Sequence, residues 1–172
     1  MNIFLIGSSG TGKTPIATKI ANYLGIKHVK ASEYFRLGFS GEFDSRDYFN
    51  QKITEYSKHE LSKNPRVNIE YLQDKINIPC VIESIRNPIE FTNLFDFKND
   101  LVIYLNYSEN KLLKTGFEKG IQLIENVCLW SIENKIMKEE QFVKVNFSQF
   151  FGENSLEFQI DQILKEINYG SL

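Results

Sequence analysis

The sequence predicts an α/β fold, a three-layer sandwich in which a five-stranded parallel sheet is flanked by helices. Three observations carry this. Short apolar runs rich in β-branched residues recur along the chain, as buried parallel strands require. Between them lie stretches with apolar residues at spacings of three and four, the mark of amphipathic helices. The first run, IFLI at 3–6, passes directly into GSSGTGKT at 7–14 and then into such a helix. Over 172 residues there is no repeat, low-complexity tract or obvious linker, so one domain covering 1–172 is expected.

Taken in order, IFLI at 3–6 is the first strand. From 13 to 24, Ile16, Ala17, Ile20, Ala21 and Leu24 recur at helical spacing. Pro15 is tolerated in the first turn, and Gly25 ends the helix. IKHVKAS at 26–32 reads as the second strand. A helix follows over 44–61, with Tyr48, Phe49, Ile53, Tyr56 and Leu61 toward the core, and another over 68–76. IPCVIES at 78–84 and DLVIYLNY at 100–107 are the third and fourth strands, with a short helix over 87–95 between them. Helices are expected over 108–114 and over 121–137, the latter with Leu123, Ile124, Val127, Trp130 and Ile136 as its apolar face. QFVKVNF at 141–147 is a fifth strand, and 155–167 a closing amphipathic helix.

Composition narrows the function classes. Apolar residues make up 42% and charged residues 24%, an ordinary folded composition. A net charge of −2 does not indicate a nucleic-acid binder, although it leaves room for a small basic cleft. Cys80 and Cys128 form neither a CxxC pair nor a zinc pattern, and Cys80 reads as a reduced core thiol. His28 and His59 have no partners at metal or triad spacing. The start lacks the basic flank and apolar stretch of a signal peptide, and no segment approaches about 20 apolar residues. A cytoplasmic protein is the expectation.

Gly7, Gly12, Lys13 and Thr14 fill the pattern G-x-x-x-x-G-K-[ST]. Each residue type has a physical task. The glycines let the backbone of Gly7, Ser8, Ser9, Gly10, Thr11 and Gly12 curl, so that successive N–H groups point at phosphate oxygens. The following helix adds its positive end. Lys13 offers an ammonium to the β- and γ-phosphates, and the Thr14 hydroxyl can ligate Mg²⁺. The fold class is therefore a P-loop sandwich, with ATP and Mg²⁺ as its expected ligands.

Ligands of an open parallel sheet sit outside the carboxyl ends of its strands. Gly7, the segment from Ser32 to Arg36, and Glu83 all fall at such ends. Arg36 and Arg86, beside a triphosphate cradle, can each fork onto a second phosphate, and Glu83 can hold Mg²⁺ through water. Arg46 and Arg66 read as solvated charges. Tyr34, Phe35, Phe39, Phe43, Tyr48 and Phe49 crowd the same region; core packing is the default reading for most, base stacking for some.

KASEYFR at 30–36 resembles the G-D-x-x-R segment of adenylate-kinase-like P-loop nucleotide kinases, with Glu33 and Arg36 at the acidic and basic positions and Ser32 in place of glycine. VIESIRNPIEF at 81–91 is similar to the hhhDGhR-x-P-x-E segment of phage-type deoxynucleoside monophosphate kinases, with Glu83, Arg86, Pro88 and Glu90 in register. The resemblance implies that Arg36, Arg86 and Glu33 bind the acceptor, within an acceptor-binding insert near 32–75. It also implies a lid near 107–120. Such lids carry arginines, whereas here the stretch offers only Lys111, Lys114 and Lys119. Lysine is a point charge that cannot fork onto two oxygens. The function implied is ATP-dependent phosphoryl transfer to a nucleoside or deoxynucleoside monophosphate, with Lys13, Arg86 and Arg36 as the catalytic cations. Two alternatives stand beside it: a P-loop kinase for another acceptor (a modified base in nucleic acid, a small alcohol), and a catalytically weak nucleotide-binding regulatory protein. The oligomeric state is not legible.

Overall fold

The computed structural model describes residues 1–7, 13–37, 46–107, 116–147, 161 and 163–165. Five strands form one sheet: β1 (Ile3–Gly7), β2 (Lys27–Lys30), β3 (Cys80–Glu83), β4 (Leu101–Tyr107) and β5 (Phe142–Phe147). The helices are α1 (Lys13–Leu24), α2 (Glu33–Leu37), α3 (Arg46–Lys63), α4 (Val67–Lys75), α5 (Pro88–Leu94) and α6 (Gly116–Glu133). The spatial order is β2-β3-β1-β4-β5, and every pairing is parallel. The chain leaves β1 toward one edge and later returns to its other side, so the strand order reverses at β1. A ligand crevice opens at such a reversal, beyond the carboxyl ends.

Alternation along β1 divides the interior in two. Phe4 and Ile6 face one layer, where Cys80, Ile82 and Val102 meet Ile69 and Leu72 of α4, Phe91 of α5, and Ile121, Ile124 and Cys128 of α6. Ile3 and Leu5 face the other, where Val81, Ile103 and Val145 meet Ile16, Ala17 and Ile20 of α1. Ile163, fully buried, joins this second layer, and the described residues 161 and 163–165 are helical. The expected three-layer sandwich with its five-stranded parallel sheet is thus observed.

Local chemistry sets the helix ends. Gly25 adopts φ 66° after α1. Its N–H donates to the Asn22 carbonyl at 3.3 Å, and the Ile26 N–H to that of Ala21 at 2.9 Å. This pair of bonds closes the last turn and needs the left-handed residue that glycine supplies. At the start of α5, the Asn87 side chain accepts the Ile89 N–H at 2.8 Å, and Pro88 occupies the first turn.

Some expectations need correction. The helix expected over 121–137 begins at Gly116 and stops at Glu133. There Lys135 turns left-handed at φ 58°, and the Ile136 and Met137 N–H groups both return to the Ser131 carbonyl. Ile136, beyond the helix, is 45% exposed. Leu123 and Trp130 are 50% and 58% exposed rather than core. At about 100° per residue they lie about 130–150° from the centre of the Ile121–Ile124–Cys128 seam, toward the opposite side of the helix. Tyr48, also expected in the core, is 49% exposed, whereas Ile53 of the same helix is buried. The five-residue helix α2 buries only Phe35 and has no counterpart in the apolar pattern of the sequence. The helix expected over 108–114, and the side chains of Phe39, Phe43 and Phe49, lie outside the described residues. Among the described residues no helix is long and apolar enough to cross a membrane.

Candidate active site

The parallel register brings the predicted residues to one end of the sheet. Glu83 pairs with Leu5 of β1 and with Lys30 of β2, and Gly7 pairs with Leu105 of β4. Beyond Gly7 the loop residues Ser8, Ser9, Gly10, Thr11 and Gly12 lie outside the described residues. Lys13 opens α1 and is only 6% exposed. Burial drives its ammonium down to about 7, with Arg86 pushing the same way and Glu83 opposing. Thr14 is exposed at the head of the helix, and its carbonyl accepts the Thr18 hydroxyl at 2.9 Å.

Glu83 is wholly buried at the end of β3. One carboxylate oxygen lies 3.1 Å from His28 Nε2 and 3.9 Å from Lys30 Nζ. The other accepts the Ser84 hydroxyl at 3.2 Å. His28 Nδ1 lies 3.4 Å from the Thr18 hydroxyl, so the ring links α1 to the strand-end carboxylate. Nothing in sequence spacing connects residues 55 positions apart, and His28 acquires this partner only because β2 lies beside β3. The nearest sequence signal was the alternation of His28 and Lys30, which puts both on one face of β2.

Ser84 stands where the similar kinase segment has glycine, and its φ is 69°. A residue with a Cβ is strained in this region. The hydroxyl bond to Glu83 is a local compensation. Past Ser84 the chain places Ile85 in the core and leaves Arg86 half-buried. Burial lowers the pKa of Arg86, and Arg36 acts in the same direction while Glu83 opposes.

The segment after β2 is held by the backbone of β3 and by side chains of α4. The Ala31 N–H donates to the Glu83 carbonyl at 2.9 Å. Asn68 of α4 donates to the Ala31 carbonyl at 3.1 Å and to Glu90 of α5 at 3.2 Å. Arg36 Nε donates to the Ser32 hydroxyl at 3.1 Å, which orients the guanidinium from its own helical turn. Glu33 accepts the Tyr71 hydroxyl at 2.8 Å. Burial, reinforced by this bond, pushes Tyr71 up to about 12, so it remains a donor. Tyr34 packs on Tyr71 with ring centroids 5.3 Å apart. Lys13, Lys30, Arg36, Glu83 and Arg86 therefore form one electrostatic cluster at the crevice. Lys119 is exposed on α6, while Lys111 and Lys114 lie outside the described residues.

Comparison with known proteins agrees with the architecture. A shikimate kinase from Bacteroides thetaiotaomicron superposes with a TM-score of 0.52 at 14% identity, covering 98% of both chains. A shikimate kinase from Acinetobacter baumannii in complex with shikimate gives 0.51 at 14% identity, covering 99% of this chain and 94% of that one. The chain has the P-loop kinase fold. At such identity the P-loop kinase likeness concerns architecture alone. No family model matches the sequence. The ATP-dependent protease ATPase subunit HslU of Campylobacter jejuni strain 81-176 is 36% identical over 105 residues, which is 58% of this chain. The HslU of Campylobacter jejuni subsp. doylei matches to the same extent. The chain spans 24% of the length of these curated relatives.

Proposed function

We propose that this protein is an ATP-dependent phosphotransferase whose acceptor is itself a phosphate ester, a nucleoside or deoxynucleoside monophosphate. The observation that supports this most is the gathering of cations at the strand ends. Arg86 acts on a buried Lys13, and Arg36 acts on a half-buried Arg86. Packing like charges out of water is costly. Two adjacent phosphates, one from a donor and one from an acceptor, would offset that cost.

On this reading the loop 7–14 cradles the ATP phosphates and Lys13 offsets charge on the transferred group. Arg36 and Arg86 orient the acceptor phosphate, and Glu33 borders its site. An acceptor that is already ionised needs no strong general base. The exposed Thr14 hydroxyl fits a place on Mg²⁺, and Glu83, with protein partners on both oxygens, would reach the ion through water. Bound Mg²⁺ supplies charge neutralisation across the phosphate oxygens. Residues 32–75 then form the acceptor-binding insert and 107–120 a reduced lid of one domain spanning 1–172, working in the cytoplasm.

A second reading is an alcohol acceptor. The Glu33 carboxylate, held by Tyr71 and three residues before Arg36 in α2, favours it, and one protein of the same fold binds shikimate. Both are tested by incubating the protein with ATP, Mg²⁺ and a panel of nucleoside monophosphates plus shikimate, reading ADP and phosphorylated product together. Diphosphate formation supports the first reading and shikimate phosphate the second. ADP without either product points to hydrolysis, and ATP binding without turnover to a regulatory protein.

A further inference from the structure

We infer that Gly120 is a positioning residue for Arg86, which makes the α6 backbone the wall that sets where the acceptor arginine stands. This rests on the assignment of Arg86 to the acceptor phosphate. Gly120 lies in the second turn of α6. A Cβ built on it would collide with the Arg86 carbonyl oxygen, fall 3.2 Å from the Arg86 carbonyl carbon and come within 3.9 Å of Pro88 Cδ. Only a residue without a Cβ lets the two backbones approach this closely.

The Arg86 side of this contact has little room to yield. Ile85, immediately before, is 1% exposed in the core. Asn87, immediately after, is held by its bond to the Ile89 N–H at 2.8 Å, and Pro88 has a fixed φ. The peptide that carries the guanidinium is thus clamped between a capped helix start and the face of α6. Gly120 also disfavours the helix it sits in, by about 0.5–1 kcal/mol relative to alanine. Its use there is accounted for by the close approach. Lys119 precedes it on the same helix, so α6 brings the backbone of that lysine next to the Arg86 turn.

The test is a double-mutant cycle of Gly120→Ala and Arg86→Ala, with initial rates at varied acceptor monophosphate and varied ATP. Displacing a binding group by an ångström can cost about a hundredfold. Gly120→Ala is therefore expected to lower acceptor kcat/KM by about tenfold or more, chiefly through KM, with ATP KM nearly unchanged. With Arg86 already removed, Gly120→Ala should cost nothing further. Equal losses in both backgrounds, or parallel losses for ATP and acceptor, would overturn the inference and leave Gly120 as ordinary packing. If Gly120→Ala does not fold, Pro88→Gly is added so that the turn can recede. The acceptor defect should persist in that protein, and a wild-type acceptor KM there also overturns the inference. A wild-type protein that phosphorylates no phosphate ester removes the proposed function itself, and this inference with it.

Discussion

Lys13 illustrates a residue whose cost in the folded protein points to its ligand. Its ammonium is almost wholly buried, and both burial and Arg86 disfavour its charge. Lys13→Met should abolish transfer and remove the stabilisation that ATP gives in a thermal melt. The ligand-free variant should melt no lower than wild type, because the buried charge is gone. A large drop in its Tm would mean that Lys13 serves the fold instead. Ser84 shows the opposite balance, with strain at φ 69° and a compensating bond to Glu83. Ser84→Ala keeps the strain and loses the bond, so it should destabilise by about 1–2 kcal/mol. Ser84→Gly loses the bond and the strain together and should lie close to wild type. Denaturant midpoints of the three proteins check this order.

Between elements, the crevice depends on contacts that cross from one helix to another. Asn68 of α4 joins the Ala31 carbonyl to Glu90 of α5, and its own side-chain oxygen is buried with no donor among the described residues. Burial raises Glu90 above its ordinary value of 4.5, against the smaller effect of the Asn68 bond. A carboxyl with a raised folded pKa favours folding most while protonated. That contribution is complete below 4.5 and is lost as pH rises through the raised value. Glu90→Gln stays neutral at every pH and can donate to the Asn68 oxygen. It should raise stability at pH 7 by about 1 kcal/mol and flatten the fall in Tm between mildly acid and neutral pH. A variant less stable than wild type at pH 7 would contradict this account. The lysines form a second element-scale case. Replacing Lys111, Lys114 and Lys119 together by alanine should lower kcat modestly, and added salt should shrink the difference from wild type. Full activity in the triple variant would remove them from the mechanism.

For the molecule as a whole, the sheet is the rigid part from which the site is hung, and its two faces are packed differently. The face toward α4, α5 and α6 holds an aromatic group in which Phe91 stacks on Phe95 at 4.7 Å and meets Phe4 edge-on at 5.7 Å. Phe91 is fully buried and follows Arg86 by only five residues. Phe91→Ala should cost about 3–5 kcal/mol. Because it loosens the helix that caps the Arg86 turn, acceptor KM should rise in any protein that still folds, more than ATP KM does. Urea unfolding and the two Michaelis constants measure the two effects separately.

The sequence by itself determined the layered α/β architecture, since strand-length apolar runs and helical periodicity are local properties of the chain. It also determined the phosphate-loop pattern with Lys13 and Thr14 at the head of the first helix, and the candidates Glu83, Arg86 and Arg36, which lie at or just beyond strand ends that periodicity locates. The tertiary structure decided what no local pattern encodes. Strand order placed His28 and Lys30 of β2 against Glu83 of β3, an encounter between residues distant in sequence. Helix rotation put Leu123 and Trp130 of α6 at the surface, although their spacing alone fits a core. The left-handed turn at Ser84 and the seating of Gly120 on the Arg86 peptide likewise became visible only in three dimensions. Periodicity fixes which residues share a face; the packing of one element on another fixes which face is covered, and by what.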